Sequence, residues 1–222
     1  MVWTPNNVTA LRVLVAFAAV GLFGRGTWAN LAAVALTVGA IALDALDGHL
    51  ARKKQMATPL GAQIDILGDR LVEYLFFTYF AVVGMVSLWL PVLFFTRGAA
   101  TDFLRSLALK AGYSGWGVNA IERSRWGRAL VGSRQSRALY AILKCACFCY
   151  LGLELALTRG PVALLGTISS ETHLAMHTIA QILTWTTAAF CLLRGLPVAL
   201  EGWRFLAREA AAGRTRKSVE AL

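Results

Sequence analysis

The sequence predicts an all-α integral membrane protein of six transmembrane helices, with both termini in the cytoplasm. Three observations predict it. Of 222 residues, 57% are hydrophobic and only 15% charged, against roughly 45–50% and about 25% in a soluble globular domain. The apolar excess falls in six blocks, each near the ~20 residues that a helix needs to cross the hydrocarbon core. The charges are mostly basic, 22 Lys and Arg against 12 Asp and Glu for a net +10, and they gather in alternate connections.

The first block, Val8–Phe23, has no basic stretch before it and no small-x-small cleavage pattern after it; it reads as a retained span rather than a signal peptide. Trp28–Leu46 and Leu60–Gly84 follow, joined by a connection carrying Arg52, Lys53 and Lys54. The fourth, Ser87–Leu109, is interrupted by Arg97, Asp102 and Arg105. A mid-span Arg is tolerated where it faces the bundle interior, and Asp102 and Arg105, at i,i+3, are spaced to pair. Before the fifth block, Arg137–Leu157, a long connection holds Lys110, Arg123, Arg125, Arg128 and Arg134. The sixth, Leu174–Leu196, leads into a tail at about 201–222 whose Ala207–Ala212 and Gly213–Lys217 runs read as a frayed helix with a basic end. The other connections carry Arg25, nothing, and Arg159. Basic loops stay in the cytoplasm, and an even span count puts both termini there. Residues 1–222 form a single membrane domain on this reading. Trp3, Trp28, Trp89, Trp185 and Trp203 fall near span ends, as an aromatic belt does.

Four of the acids, Asp44, Asp47, Asp65 and Asp69, lie within one short stretch at a membrane boundary, where carboxylates usually mark function. Asp44 and Asp47 share one helix face at i,i+3; Asp65 and Asp69 share another at i,i+4. Two antiparallel helices would bring those faces together. Four carboxylates so close need a cation, or their pKa values rise. All-oxygen ligands suit Mg²⁺, Mn²⁺ or Ca²⁺ rather than Zn²⁺, and four charges fit the two-metal clamp used for displacement at phosphorus. Gly48, Ala51 and Gly61 let a bulky ligand such as a nucleotide approach the backbone, and Arg52 offers a planar fork for phosphate. The plainer reading of these residues is helix packing through small side chains, with the acids paired to nearby cations.

The run Asp44-Ala-Leu-Asp47-Gly48-His-Leu-Ala51-Arg52, then Gly61, Asp65 and Asp69, matches D-x2-D-G-x2-A-R-x8-G-x3-D-x3-D at every fixed position. It resembles the signature of the CDP-alcohol phosphotransferase family (CDP-alcohol phosphatidyltransferase class I). A second segment, Pro5-Asn6-Asn7-Val8-Thr9-Ala10-Leu11-Arg12, resembles the P-N-x-x-T-x-x-R start of the bacterial phospholipid-synthesising members, and the chain is most similar to phosphatidylglycerophosphate and phosphatidylinositol phosphate synthases. The resemblance implies phospholipid biosynthesis, with a phosphatidyl group passing from CDP-diacylglycerol to a small alcohol and CMP released. It implies that Asp44, Asp47, Asp65 and Asp69 hold Mg²⁺ or Mn²⁺, two ions per site, with Asp69 as general base. Thr9, Asp44, Gly48, Ala51, Arg52, Gly61 and Asp65 would line the CDP site. It further implies a homodimer in the bacterial cytoplasmic (inner) membrane, its active site at the cytoplasmic membrane boundary.

For the acceptor, Arg97, Arg105, Arg134 and Arg137, with Lys144 further into the fifth block, suit a phosphorylated alcohol. Glycerol 3-phosphate is favoured over inositol phosphate, although the 112–132 loop matches neither pattern. Glu73, one turn beyond Asp69, is a candidate partner for Arg97. Two rivals remain: a CDP-choline or CDP-ethanolamine transferase with a lipid acceptor, and a small cation transporter built on the Asp cluster. The acids sit at one end of their helices and no repeat is visible, unlike transporter sites. No aromatic-interleaved or helix-in-groove pattern accompanies the basic loops, so their partner is the anionic bilayer and not nucleic acid. Cys145, Cys147 and Cys149 lack zinc spacing and, with Cys191, read as reduced bundle residues. His173 and His177, at i,i+4 on the non-cytoplasmic side, read as interfacial polar residues.

Overall fold

The computed structural model describes residues 5–53, 59–110, 127, 130–131, 133–158 and 169–220; at 5, 44–53, 59–60, 62, 108–110, 134, 205 and 208–220 it describes the backbone alone. The described residues form six helices: α1 (Pro5–Leu22), α2 (Thr27–Lys53), α3 (Pro59–Val82), α4 (Trp89–Lys110), α5 (Arg134–Thr158) and α6 (Ser170–Glu220). Each covers one predicted block, although α1, α3 and α4 fall one or two residues short of theirs at one end.

Local chemistry sets the ends. Pro5 and Pro59 open α1 and α3, where a missing N–H removes no helical bond. Ser133 and Ser169 cap α5 and α6: their hydroxyls accept from Ser136 N (3.1 Å) and Thr172 N (3.2 Å), satisfying donors that have no partner within the helix. At the end of α3, Gly84 takes φ +74° while Met85 N bonds Phe80 O (2.9 Å) and Gly84 N bonds Ala81 O (3.0 Å). That is a Schellman stop, which favours glycine at its left-handed position.

Two elements outrun their blocks. Helix α2 continues from Leu46 to Lys53 because nothing there breaks it, and Arg52 and Lys53 end it with cations that suit the negative pole of its dipole. Helix α6 runs 51 residues through Pro197 to Glu220; the Ala-, Arg- and Glu-rich stretch after Trp203 is strong helix former, so the tail carries helical backbone.

The chain divides into two compact units, Met1–Phe94 with Ile142–Thr187, and Phe95–Ala141 with Ala188–Leu222. In the first, α1 packs on α2 and α3 through fully buried Ala16, Ala19 and Ala33. Its core is aromatic: Phe77 stacks on Phe94 at 4.2 Å and Phe76 on Phe148 at 4.9 Å, while Phe23 meets Tyr79 and Phe80, each at 5.5 Å. Gly152 lets Phe23 and Val34 approach α5; a Cβ there would stand 2.8 Å from the Phe23 ring. Thr37 and Thr184, both buried, return their hydroxyls to the carbonyls of Ala33 and Ala180, the usual way to satisfy a hydroxyl where water is absent. In the second unit Tyr140 stacks on Phe190, and Gly202 accommodates Leu104.

Leu14, Phe17, Leu67, Phe95, Ile142, Ile182 and Leu196 point outward, an apolar exterior at odds with a soluble monomer. Among the described residues, two helical stretches, Gln135–Thr158 and Ser170–Arg204, are long and apolar enough to cross a membrane, and Asn6–Leu22 and Thr27–Leu43 are apolar but shorter. Helices α3 and α4 carry Asp65, Asp69, Arg70 and Glu73, and Arg97, Asp102 and Arg105, which lowers their hydropathy below that of a plain span.

Candidate active site

Helix α3 places Asp65 and Asp69 one turn apart, on the face turned to α1. There the buried Arg12 (2% exposed) meets both: Nη1 lies 3.1 Å from Asp69 Oδ1 and Nη2 lies 3.4 Å from Asp65 Oδ1. Nη2 also donates to the Asp65 carbonyl (3.3 Å). Arginine stays charged at any physiological pH, so it is tolerated at this depth only with anions beside it. Its planar fork spans two carboxylates where an ammonium would serve one. The carboxylates themselves stay open, 49% and 47% exposed. Arg12 therefore fixes them from behind and leaves them reachable from in front.

The approach depends on Gly68. A Cβ at that position would stand 2.7 Å from Arg12 Nη2 and 2.7 Å from Thr9 Cγ2, inside contact distance. Thr9 is buried in this α1–α3 seam. Gly68 is absent from the spacing pattern that singled out its neighbours. Arg12 closes the second resembling segment, but its type and position alone carried no role.

Asp44, Asp47, Gly48, Ala51 and Arg52 lie on the last turns of α2, and their side chains lie outside the described residues. Gly61 stands one turn before Asp65, half-buried. Among the described residues no three of His, Cys, Asp and Glu converge as a metal site; two of the four candidate carboxylates are in that set. The donor chemistry fits a hard divalent cation: Asp65 and Asp69 present oxygen, are open to solvent, and are held side by side.

Deeper on α3, Glu73 (1% exposed) pairs with Arg70 (3.2 Å) and with Lys144 of α5 (3.9 Å). Lys144 thus belongs to the acid-bearing unit, and Glu73 ties α5 to α3 two turns below Asp65.

The other cations fall in the second unit. Arg194, buried in α6, donates to Ser136 Oγ (2.8 Å) and lies over the Tyr140 ring at 5.5 Å. Arg97, Arg105 and Arg137 stand near enough to oppose its charge. The Arg97 side chain lies on Gly195, where a Cβ would come within 2.8 Å of its Nε, and among the described residues that Nε has no hydrogen-bond partner. Each of the three neighbouring arginines adds to the cost of the Arg194 charge, a cost that a bound anion would offset. Arg194 is the member that sequence reasoning missed, since it sits past the proposed pocket in the last block. Arg134 opens α5, its side chain outside the described residues, as is most of the 112–132 loop. The four cysteines are free thiols.

These features define a helical protein with an open carboxylate pair backed by a buried cation, and an arginine cluster. The chain belongs to the CDP-alcohol phosphatidyltransferase family, whose pattern matches residues 2–193. The family is membrane-bound and generally depends on divalent metal. Among similar proteins, a CDP-diacylglycerol–glycerol-3-phosphate 3-phosphatidyltransferase from Pseudomonas fluorescens is 41% identical over 69 residues, 31% of this chain and 35% of that protein. A probable phosphatidylglycerophosphate synthase from Mycobacterium tuberculosis (strain H37Rv) is 31% identical over 118 residues, 50% of this chain and 56% of that one. A cardiolipin synthase (CMP-forming) from Oryza sativa subsp. japonica is 35% identical over 71 residues, covering 32% and 20%. The chain thus spans between a fifth and just over half the length of the curated relatives it matches.

Proposed function

We propose that this protein transfers the phosphatidyl group of CDP-diacylglycerol to glycerol 3-phosphate, releasing CMP, at the cytoplasmic face of a bacterial inner membrane. The observation that carries the reading is the Asp65–Asp69 pair, open in front and clamped by Arg12 behind, in a member of the family. The acceptor follows from the arginine cluster, which suits a phosphate-bearing alcohol better than a neutral one, and from the names of the two bacterial relatives.

In this mechanism Asp44, Asp47, Asp65 and Asp69 hold Mg²⁺ or Mn²⁺, two ions per site. Bound there, the metal supplies positive charge to the pyrophosphate and to the departing CMP. Asp69 takes the proton of the acceptor hydroxyl, whose oxygen then forms the new bond to the β-phosphorus as the bond to the CMP oxygen breaks. Arg12 keeps Asp65 and Asp69 in register. Thr9, Gly48, Ala51, Arg52 and Gly61 line the CDP site, while Arg97, Arg105, Arg137 and Arg194, with Arg134, receive the acceptor phosphate. All six helices cross the membrane with both termini inside, and the enzyme works as a homodimer.

The test is an acceptor panel of glycerol 3-phosphate, inositol phosphate, serine and glycerol, each offered with CDP-diacylglycerol to the purified protein and scored by mass spectrometry of the lipid. Phosphatidylglycerophosphate should dominate. Asp69→Asn should lower turnover by a factor of about 10²–10⁴, the usual worth of a positioned base; wild-type turnover in that variant would remove Asp69 from the role.

A further inference from the structure

Arg194 differs from the other buried cations in what holds it. Arg12 has Asp65 and Asp69 beside it, and Lys144 has Glu73. Arg194 is 8% exposed, and among the described residues its partners are the Ser136 hydroxyl and the Tyr140 ring. The charges that act on it are those of Arg97, Arg105 and Arg137. Neutral groups therefore hold it in place while cations push against it.

Two hydrogen bonds fix the Ser136 hydroxyl. A serine within a helix commonly returns its proton to the carbonyl four residues back. Ser136 instead donates to the carbonyl of Leu130 (2.5 Å), ahead of α5. An arginine nitrogen only donates, so Arg194 Nη1 gives its proton to the Ser136 oxygen at 2.8 Å. With its one proton spent on Leu130, Ser136 has none left for a ligand. Capping does not require this hydroxyl, because Ser133 Oγ already receives Ser136 N (3.1 Å) and the Ser133 carbonyl receives Arg137 N (3.3 Å). Val131, 2% exposed, anchors the turn that presents the Leu130 carbonyl. Beneath the guanidinium, the buried Tyr140 ring is backed by Phe190 at 6.0 Å.

We propose that Ser136 is a positioning residue for the acceptor, acting through Arg194 to aim the guanidinium that receives the acceptor phosphate. The proposal rests on the arginine cluster being that phosphate site. The ring confines the guanidinium on one face and the hydroxyl ties one of its nitrogens, which leaves the remaining N–H groups for an anion. A hydrogen bond from a charged donor is the strong kind, and here it links α6 to the turn before α5. Without it, a long side chain opposed by three cations loses the contact that keeps it in the cluster.

The experiment measures initial rates with CDP-diacylglycerol and glycerol 3-phosphate, on the full chain in detergent. Ser136→Ala should raise KM for glycerol 3-phosphate about tenfold or more, the scale of a hydrogen bond to a charged group, with KM for CDP-diacylglycerol unchanged. Ser136→Thr keeps the hydroxyl and should restore the wild-type KM. Once Arg194→Met is present, Ser136→Ala should add nothing further; if that background is inactive, the two KM values and the threonine rescue decide. An unchanged KM in Ser136→Ala, a rise shared by both substrates, or the same rise in Ser136→Thr overturns the proposal. A full further rise beside Arg194→Met makes Ser136 a direct contact and overturns it as well. Wild-type protein that makes no lipid from glycerol 3-phosphate removes the acceptor reading, and this proposal with it. A wild type that does so, beside an indifferent Ser136→Ala, removes this proposal alone. Should Ser136→Ala not fold, Ser136→Cys, whose sulfur is a weak acceptor, takes its place in each comparison.

Discussion

Substituting Gly68→Ala tests how closely α1 must approach α3 for the acid pair to work. The added methyl would stand 2.7 Å from both Arg12 Nη2 and Thr9 Cγ2, and relaxing that to ordinary contact near 3.5–4.0 Å requires a shift of roughly 1 Å. Overpacking of this size costs about 1–3 kcal/mol, partly offset by the helix propensity gained on replacing glycine, up to about 1 kcal/mol. The net loss of stability is therefore modest, about 0–2 kcal/mol. The catalytic effect is larger, because Arg12 carries the shift to Asp65 and Asp69, and a displacement near 1 Å at reacting groups can lower a rate by about 10²-fold. Gly39→Ala is the control: a Cβ there meets nothing within 4 Å, so the same propensity gain comes without strain. The assay pairs CMP release from CDP-diacylglycerol with a thermal melt of each variant. Gly68→Ala should lose ten- to hundredfold in turnover, on the order of that bound, while Gly39→Ala keeps wild-type activity and melts no lower than wild type. Equal activity in the two variants would refute Arg12 as the residue that positions the acids.

Two other substitutions probe the Glu73 ion pairs and the arginine cluster. Glu73→Gln keeps the shape of a buried side chain but leaves Arg70 and Lys144 without their shared anion; with those cations 16% and 19% exposed, the loss should be about 1–3 kcal/mol, below the ~3–5 kcal/mol of a fully buried break. It is read as a drop in unfolding temperature of several degrees, and an unchanged melt would place Glu73 outside the packing of α3 on α5. Arg97→Met should raise KM for glycerol 3-phosphate about tenfold or more, the worth of a charged hydrogen bond near 1.5–3 kcal/mol, with KM for CDP-diacylglycerol unchanged. The same variant should melt at or above the wild-type temperature, since it removes a cation that opposes the buried Arg194. An unchanged acceptor KM would take Arg97 out of the acceptor site.

The helices were legible because each sits on an apolar block near membrane length, whereas Pro59, Gly84 and the serine caps, which set several of their ends, carry no signal in the hydropathy pattern. The overrun of α2 and α6 was not legible: a span ends in sequence where hydrophobicity ends, whereas a helix ends where its backbone bonds do, and Arg52 or the Ala-rich tail ends only the first. Asp65 and Asp69 announced themselves by scarcity and spacing. Arg12 did not, because its significance comes from a contact across 53 positions of chain that no local pattern encodes. Gly68 was silent for the same reason, being required by what α1 places opposite it. Glu154 and His177 lie 23 residues apart, one inside an apolar block and the other near the end of the next, and only the fold shows that they meet. Lys144 read as an acceptor cation by its depth in the fifth block; packing gives it Glu73 as a counter-ion instead.

The central claim, that Asp65 and Asp69 form the working carboxylate pair of a metal-dependent phosphatidyltransferase, is tested most directly by titrating Mn²⁺ into the metal-stripped protein. Bound Mn²⁺ is followed by electron paramagnetic resonance and CMP release is scored in the same samples. Wild type should gain activity in step with bound Mn²⁺, and Asp65→Asn should bind Mn²⁺ at least tenfold more weakly and lose CMP release in proportion. Full CMP release from stripped protein, or wild-type Mn²⁺ binding in Asp65→Asn, would contradict it.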